Sequence, residues 1–535
     1  MQKIVKEHID KVLKDDIGLE KPKDRTLGHF STPYAFSLAK ILKKSPLIIA
    51  EELADKFSSN NNDIFEKVSV VKGFVNFTLS LNFLEDQANQ ALKEKENFAK
   101  RPSKNKSILL EFVSANPTGP LHIGHARGAI LGQALARLGT YLGYNITKEY
   151  YVNDAGSQMD LLYTSLDLAV QEFIFHKTPN YPQTYYRGEY LEDIGNKVLE
   201  KFGKDAFLDK QNKEKISSFA KDEVLVLIKK DLKNLGVEFD NFVYEKPLYK
   251  TWNETKAKLE KSGHLYEKDS KIYLKSSDFG DDSDRVVVRD NGVPTYLAGD
   301  IIYHENKFKR NFDTFINIWG ADHHGYMKRV KASIEFLGYD SSKLEIILSQ
   351  MVALLQGGKP YKMSKRLGNV ILLSDITKEV GADALKFIFL TKKSDTHLEF
   401  DLVELKKQDS SNPIFYISYA YARICQIFKK ANLDKSATLE YSLNNAKPEA
   451  FDLVYEALLL PSVLELAFAK RDMQKISEYL YSLASSLHHF YNEGKIVGAS
   501  TEKGDLKALS LVALSIKVGL GIFGIIPKES MEERA

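Results

Sequence analysis

Two short stretches of the chain combine residue types that suit the binding of a phosphate chain. The first is His122-Ile-Gly-His125, where two imidazoles flank a glycine. The second is a glycine-flanked run of four cations, Gly357-Gly-Lys-Pro-Tyr-Lys362-Met-Ser-Lys365-Arg366. Imidazole N–H groups donate to phosphate oxygens, and cations stabilise a phosphate chain whose negative charge grows in a transition state. Alone, each motif is a weak signal, because histidine pairs arise by chance and basic loops are most often simply solvated.

The elements around the first motif predict where it lies. The apolar run at 107–113 predicts a buried strand, the helical spacing of Ile130, Ala134 and Leu138 predicts a helix, and 145–152 predicts the next strand. His122 and His125 then lie between the end of a strand and the start of a helix. Open α/β sheets bind ligands at such places, where backbone N–H groups attract anions. A zinc site is disfavoured, because no third ligand is near.

The whole sequence of 535 residues predicts several domains and an α/β fold. Residues 1–105 predict a small N-terminal α+β domain, with two strands around Gly73. Residues 106–405 predict a Rossmann-like parallel-sheet domain with a helical insertion at about 160–235 and a hairpin at 286–298. Residues 406–535 predict a C-terminal all-α domain, because strand signals end there.

Composition limits the classes of function. The chain has 75 Lys+Arg and 72 Asp+Glu, so any site for a polyanion must be a local patch. The single cysteine, Cys425, excludes intramolecular disulfides and multi-cysteine zinc sites. The first residues lack a secretory signal, and the apolar stretch VGLGIFGII is too short for a bilayer. We therefore expect a soluble intracellular protein with no membrane partner.

The pairing of the two motifs resembles the class I aminoacyl-tRNA synthetases. Further stretches make the chain similar to the arginyl-tRNA synthetases over essentially its whole length: SANPTGPLHIGHARGA (114–129), YYVNDAGSQ (150–158), YYRGEY (185–190), GADHHGY (320–326), GADALK (381–386) and YISYAYARIC (416–425). By this resemblance the N-terminal domain is that family's additional tRNA-contacting domain, and the helical tail is its anticodon-binding domain. Lys386 stands where arginine is usual, and His29 and Pro33 where Asp and Asn are more typical.

The resemblance implies ATP-dependent ligation of L-arginine to tRNA(Arg) through an arginyl-adenylate, with release of AMP and pyrophosphate. It implies Mg²⁺ accompanying ATP, no structural zinc, a monomer and a cytoplasmic location. The tail has 14 Lys+Arg and 15 Asp+Glu over 408–535, so RNA binding there must rely on shape, stacking and a local patch. Most of the tail's aromatic side chains are expected in the core, and either Tyr419 or Tyr421 is expected to meet RNA.

The resemblance also implies roles for individual residues. The expected catalytic residues are His122, His125, Lys362 and Lys365, and the expected ATP-binding residues are these four with Gly124, Gly128 and Ser364. The expected arginine-binding residues are Ser114, Asn116, Glu245, Tyr296, Asp300 and Asp322. Two carboxylates suit the fork of a guanidinium, which lysine lacks. Glu245 could instead be an ordinary surface acid, and Asp300 a helix N-cap.

Other functions remain open at this point. A small-molecule nucleotidyltransferase shares the HxGH motif but does not need the second motif or the helical tail. A non-catalytic RNA-binding protein would not need the intact histidines and lysines. A cysteinyl enzyme would need zinc ligands that a chain with one cysteine lacks. The synthetase interpretation requires that the HxGH and KMSKR stretches meet around one ATP.

Overall fold

The structure, a computed structural model, describes residues 1–58, 63–361 and 371–531. The chain divides into two units. The first unit combines residues 1–100 with 408–470 and with the chain from 475 onward. The second unit contains residues 101–407 with 471–474. The N-terminal hundred residues and the helical tail therefore share one unit, a grouping that the sequence did not indicate.

The N-terminal part of the first unit is a small α+β assembly. Its elements are α1 (Gln2–Leu13), β1 (Phe30–Thr32), α2 (Tyr34–Leu42), α3 (Pro46–Ser58), β2 (Phe65–Val71), β3 (Phe74–Leu79) and α4 (Leu81–Glu94). The strands form an antiparallel sheet in the order β1-β3-β2. The two strands predicted around Gly73 are thus present, and Gly73 takes the positive φ of 85° that their turn requires.

The second unit carries most of the elements. They are β4 (Ser107–Glu111), α5 (Ile123–Tyr141), β5 (Asn145–Val152), α6 (Ser157–Ala169), α7 (Glu189–Phe202), α8 (Lys213–Asn234), β6 (Asn241–Tyr244), α9 (Glu245–Leu248), α10 (Trp252–Lys261), β7 (Leu265–Lys268), β8 (Lys271–Leu274), β9 (Arg285–Val288), α11 (Tyr296–Phe308), β10 (Thr314–Gly320), α12 (Met327–Phe336), β11 (Leu344–Ser349), β12 (Val352–Gln356), β13 (Lys359–Pro360), α13 (Leu373–Val380), α14 (Ala382–Phe389), β14 (Leu398–Asp401) and α15 (Leu402–Leu405). Helices α6, α7 and α8 form the helical insertion predicted at about 160–235.

A five-stranded parallel sheet organises this unit. Its strand order is β11-β10-β4-β5-β6, and every pair within it is parallel. The chain runs from β4 to β5 and β6 on one side, and returns to β10 on the other side of β4. The carboxyl ends of β4 and β10 therefore form the switch point at which open α/β sheets bind ligands. The predicted α/β class and parallel sheet are confirmed.

The hairpin predicted over 286–298 forms only in part. Its first arm is β9, but its second arm is reduced to a single bridge between Val288 and Pro294. From Tyr296 the chain is helical, because Ala298, Ile301 and Ile302 lie on the face of α11 that packs in a buried apolar core. The predicted turn itself forms, since the backbone N–H of Gly292 donates to the carbonyl of Arg289 at 2.9 Å, but the packing of α11 ends the second arm before Tyr296.

The helical tail completes the first unit with α16 (Pro413–Ala431), α17 (Pro448–Ala457), α18 (Leu460–Ala469), α19 (Gln474–Asn492) and α20 (Glu502–Ile522). The predicted all-α character of the tail is confirmed. Tyr421 is buried in α16. The tail contacts the N-terminal part of the same unit, since the Tyr455 hydroxyl donates to the carbonyl of His29 at 2.9 Å. The ammonium of Lys507 also lies 3.4 Å from the carboxylate of Glu85.

No helix within residues 1–58, 63–361 and 371–531 combines the length and the apolar character that crossing a bilayer requires.

Candidate active site

The two histidines of the first motif cap the N-terminus of α5. His122 is the N-cap residue, and its Nδ1 accepts a hydrogen bond from the backbone N–H of Gly124 at 3.1 Å. The backbone N–H of His122 in turn donates to Nδ1 of His125 at 3.3 Å. The two rings lie 3.7 Å apart between centroids. This reciprocal arrangement is a capping box built from two imidazoles.

The capping bonds fix which ring nitrogen carries a proton. An Nδ1 atom that accepts from a backbone N–H carries no proton, so each neutral ring holds its proton on Nε2. Burial lowers the pKa of His122, and burial with the neighbouring His122 lowers the pKa of His125 to about 3. At neutral pH both histidines are therefore uncharged and present an Nε2–H donor.

The space available for a side chain differs between positions 124 and 128, both of which are glycine. A Cβ atom on Gly124 would lie 2.9 Å from the His122 ring, so a side chain there would displace the cap. A Cβ atom on Gly128 would come no nearer than 3.9 Å to its closest neighbour, Ile318. Local packing thus requires glycine at 124, whereas it does not at 128.

The chain that follows the second motif lies directly against the first motif. The backbone N–H of Ile123 donates to the carbonyl of Ile371 at 2.9 Å, and that of Leu373 donates to the carbonyl of Leu121 at 2.9 Å. These bonds flank an isolated antiparallel bridge between His122 and Leu372. The sequence-predicted residues Lys362, Ser364 and Lys365 lie outside the described residues.

Glu245 and Asp300 are two inward-facing carboxylates of the same unit. Glu245 begins α9 directly after β6 and is 2% exposed, so it is not a surface acid. Its Oε1 accepts from the Tyr249 hydroxyl at 2.9 Å, and its buried Oε2 has no hydrogen-bond partner among the described residues. Asp300 lies in the second turn of α11, whose N-cap is Thr295, so it is not an N-cap either.

The environment of these carboxylates disfavours their negative charge. Burial raises the pKa of Glu245, although the Tyr249 and Tyr151 hydroxyls oppose the rise. Burial, with the charges of Glu245 and Glu111, raises the pKa of Asp300 to about 7, although a 2.6 Å bond from the Tyr326 hydroxyl opposes it. Within the part of the chain that the structure describes, neither carboxylate forms an ion pair, and two such carboxylates suit a ligand that brings a positive charge.

Gly299 lets these two residues approach one another. A Cβ atom at this position would lie 2.4 Å from Oε1 of Glu245 and 2.9 Å from the Tyr249 hydroxyl. The glycine therefore allows the Glu245 carboxylate to lie against the backbone of α11, next to Asp300. Sequence reasoning missed Gly299, Tyr249 and Tyr326, although the four-residue spacing of Glu245 and Tyr249 was a local signal.

Ser114 follows the carboxyl end of β4 in an uncommon backbone conformation. Val113 and Ser114 have φ values of 67° and 40°, which β-branched valine in particular rarely adopts. The Ser114 hydroxyl donates to Oε1 of Glu111 at 3.0 Å and accepts from the backbone N–H of Tyr151 at 3.1 Å. Such conformations persist where the surroundings hold them in place, often at ligand sites.

The remaining predicted arginine ligands are less enclosed. Asn116 is exposed, Tyr296 is 48% exposed with its hydroxyl 3.0 Å from the Ser157 hydroxyl, and the Asp322 side chain is 82% exposed. Asn116 lines a cavity of about 1130 Å³ together with His122 and His125. Neither Glu245 nor Asp300 is among the residues that line this cavity.

The helical insertion supplies the other wall of this cavity. Tyr185, Tyr186 and Tyr190 line it, and the Tyr190 hydroxyl donates to the carbonyl of Thr118 at 2.7 Å. Asp231 of α8 also lines it and accepts from the backbone N–H of Leu121, while burial raises its pKa to about 6. The insertion thus contacts the loop that carries the first motif, which the sequence did not predict.

Among the described ranges, no group of three or more His, Cys, Asp or Glu side chains is arranged to hold a metal ion.

Three family models match the chain and together cover most of it. They are described as "tRNA synthetases class I (R), catalytic domain" over residues 87–411, "DALR anticodon binding domain" over 417–531 and "Arginyl tRNA synthetase N terminal domain" over 1–79.

Individual relatives agree with these models. The arginine–tRNA ligase of Aliarcobacter butzleri is 64% identical over 99% of this chain and 100% of its own length. A crystal structure of a putative arginyl-tRNA synthetase from Campylobacter jejuni has 50% identity and a TM-score of 0.82, covering 85% of this chain and all of that one. The Thermus thermophilus arginyl-tRNA synthetase, at 20% identity, matches in fold with a TM-score of 0.78 over 99% of this chain and 100% of its own.

Proposed function

The chain belongs to the arginyl-tRNA synthetase family, and on this basis we propose that it ligates L-arginine to tRNA(Arg), consuming ATP and releasing AMP and pyrophosphate. The observation that carries the proposal is the pair of carboxylates at Glu245 and Asp300. Glu245 is buried and Asp300 is half-buried, each accepts a hydrogen bond from a tyrosine hydroxyl, and burial raises the pKa of both. Gly299 allows Glu245 to lie against the backbone next to Asp300. A small-molecule nucleotidyltransferase would have no need of this pair.

Arginine is the amino acid that fits these carboxylates. Its guanidinium is planar and charged at all physiological pH values, and it can donate to two carboxylates at once. Lysine would leave carboxylate oxygens unpaired, and a buried unpaired oxygen costs about 1–3 kcal/mol. Citrulline has the shape of arginine without its charge, so we expect it to be rejected as well. We propose Ser114, Asn116, Tyr296 and Asp322 as further contacts to arginine.

The first reaction step forms arginyl-adenylate. The arginine carboxylate attacks the α-phosphorus of ATP, the bond from that phosphorus to the bridging oxygen breaks, and pyrophosphate leaves with the electron pair. The nucleophile is already an anion, so the protein needs to position reactants and stabilise charge. The Nε2–H groups of His122 and His125 supply neutral donors to the phosphates. Gly124 and Gly128 are proposed to lie beside the adenosine.

We assign the second motif to the same triphosphate. Lys362, Ser364 and Lys365 are proposed to hold the β- and γ-phosphates as negative charge moves onto pyrophosphate, with Mg²⁺ entering as part of the Mg–ATP substrate. The support is the contact of Ile371 with Ile123. Lys365 is six positions before Ile371 in the sequence, and a chain of six residues spans at most about 22 Å.

The second step transfers arginine to RNA. A hydroxyl of the terminal adenosine of tRNA attacks the carbonyl carbon of the adenylate, and AMP leaves. The match of residues 417–531 to an anticodon-binding domain supports tRNA as the acceptor. The cavity between the HxGH loop and the helical insertion is large enough for a nucleotide, and its tyrosines could stack on a base.

Two finer properties complete the proposal. We propose that the enzyme acts as a monomer, which light scattering coupled to size-exclusion chromatography checks through the mass of 60.7 kDa. We also propose a cytoplasmic location, in keeping with a chain whose single cysteine requires no oxidising compartment. Cell fractionation checks the location.

The decisive experiment is ATP–pyrophosphate exchange with arginine, lysine or citrulline, each with and without tRNA(Arg). We expect exchange with arginine alone among the three amino acids. Exchange without any amino acid, or equal exchange with lysine, would contradict the proposal. Running both RNA conditions separates a requirement for tRNA from a failure of arginine activation.

A further inference from the structure

A buried lysine lies behind the proposed arginine pocket, on the side of α11 that faces the parallel sheet. Lys307 is 0% exposed. Its ammonium donates to Oε2 of Glu111 on β4 and, at 2.7 Å, to Oδ1 of Asn317 on β10. It also lies 4.4 Å from the ring centroid of Tyr303. A fully buried ammonium is costly to maintain, so its contacts need an explanation beyond chance packing.

A chain of hydrogen bonds connects Lys307 to the backbone carbonyl of Asp300, and the donor and the acceptor of each bond can be assigned. The Asp300 carbonyl can only accept, so Nδ1 of His304 carries the proton of the 2.8 Å bond between them. Burial, with the charge of Lys307, lowers the pKa of His304 to about 3, so the ring is neutral and its Nε2 must accept. Nε2 accepts from Nδ2 of Asn317 at 3.0 Å, which leaves the amide oxygen facing Lys307.

A second branch leads from Lys307 to the loop after β4. Glu111 binds the ammonium through Oε2 and accepts the Ser114 hydroxyl through Oε1 at 3.0 Å. Ser114 is held further by the backbone N–H of Tyr151. Lys307 therefore connects two parts of the proposed pocket that come from different elements, Asp300 on α11 and Ser114 after β4.

Lys307 also sets the balance of charge at Asp300. The groups that act on Asp300 are Glu245, Glu111, Tyr151, Tyr249, Tyr326, His304 and Lys307. Tyr296 acts on the neighbouring Tyr249, and Glu149 and Arg310 act on the neighbouring Tyr303. The negative charges of Glu245 and Glu111 disfavour an ionised Asp300, and the charge of Lys307 favours it. Arg310, the other cation in this group, binds Glu149 through both of its terminal nitrogens.

We propose that Lys307 is a positioning residue of the arginine site, which orients Asp300 and Ser114 through hydrogen bonds and places a positive charge behind the Asp300 carboxylate that receives the guanidinium. The inference rests on the proposed function, since it assigns to Lys307 a role in recognising that substrate. Lys307 does not contact the reacting atoms, so its effect belongs to arginine binding and to its pH dependence rather than to the chemical step.

The first test is Lys307→Met in arginine-dependent ATP–pyrophosphate exchange with tRNA(Arg) present. Without the ammonium, the pKa of Asp300 rises above about 7. If this pKa rises by one unit, the ionised fraction of Asp300 at pH 7 falls about fivefold, so KM for arginine at pH 7 rises about fivefold. Near pH 8.5 Asp300 is mostly ionised in both proteins, so KM for arginine approaches the wild-type value. We expect kcat to change by less than about twofold, because the transition state of the chemical step gains no contact from Lys307.

Glu111→Gln is the second variant, because Lys307→Met leaves Glu111 buried without a cation and could fail to fold. The amide oxygen can still accept from the Lys307 ammonium and the amide NH2 can donate to the Ser114 hydroxyl oxygen, while the substitution removes a charge that disfavours ionised Asp300. The pKa of Asp300 then falls, and for a one-unit fall KM for arginine at pH 6 drops about fivefold. The two variants should therefore shift the pH profile of KM in opposite directions.

Lys258→Met is the matched control. Lys258 binds Glu305, a 1% exposed carboxylate on the same helix, at 2.6 Å. The Lys258→Met variant should leave the pH dependence of KM for arginine unchanged. Unshifted profiles in both test variants, shifts in the same direction, or an equal shift in the control would each overturn the role of Lys307. Failure of the proposed function looks different, because the wild-type enzyme would then lack arginine-dependent exchange.

Discussion

Replacing Glu245 with glutamine isolates the charge of one carboxylate in the proposed arginine pocket. The amide oxygen can still accept from the Tyr249 hydroxyl, which donates to Oε1 at 2.9 Å, so the local structure should persist. The lost interaction is a charge-assisted bond between a carboxylate that is 2% exposed and a guanidinium. Hydrogen bonds to charged groups contribute about 1.5–3 kcal/mol, and about 3 kcal/mol corresponds to a roughly hundredfold rise in KM for arginine.

Arginine-dependent exchange and thermal unfolding measure this effect separately. For Glu245→Gln we expect the hundredfold rise in KM for arginine, and we expect kcat at saturating arginine to change far less. Arginine should raise the melting temperature of the wild-type protein by mass action and should barely raise that of Glu245→Gln. Glu260→Gln, which removes a half-exposed partner of Lys256, should match the wild type in both assays. An unchanged KM in Glu245→Gln would refute the assignment of the pocket.

Three other substitutions test further parts of the site. The raised pKa of Asp300 contributes stability that is present below its ordinary value of 3.8 and is lost as the pH rises through about 7. In urea unfolding without arginine, wild-type stability should therefore fall relative to that of Asp300→Asn between those pH values, and parallel curves would contradict the raised pKa. His122→Asn keeps a good N-cap but loses the Nε2–H donor, so kcat for exchange should fall about a hundredfold with an unchanged melting temperature. Lys365→Ala should slow adenylate formation far more than it weakens arginine binding, and equal losses would exclude action on the transition state.

The parts of the fold that could be predicted are those whose signals are local. The apolar strands at 107–113 and 145–152 and the spacing of α5 show their own periodicity in the sequence. Strands β7 and β8, which form a sheet with β9, were missed, because they are four residues long and β7 ends in the exposed Glu267 and Lys268. The second arm of the hairpin at 286–298 was predicted wrongly, because only tertiary packing decides between a strand and α11.

The candidate site shows the same division between local and distant signals. His122 and His125 were predicted as a pair because their spacing of three is a helix-start motif. The roles of Glu245 and Asp300 came from the resemblance to a family. Tyr326 belongs to the GADHHGY stretch that carried the resemblance, but nothing in the sequence assigned it to Asp300, which is 26 residues away. The connection of Lys307 to Asp300 runs through side chains on separate elements, and only the folded chain brings these together.

The unit shared by residues 1–100 and the helical tail constrains how the protein can be made. During synthesis, the N-terminal hundred residues leave the ribosome about 300 residues ahead of their partner helices. At roughly 5–20 residues per second, this delay amounts to tens of seconds. Until Tyr455 is synthesised, the ring of Phe30 and the carbonyl of His29 lack the ring contact and the hydrogen bond that Tyr455 makes with them in the folded unit. We therefore expect the intervening parallel-sheet unit to finish folding first, and the early segment to depend on chaperones until translation ends.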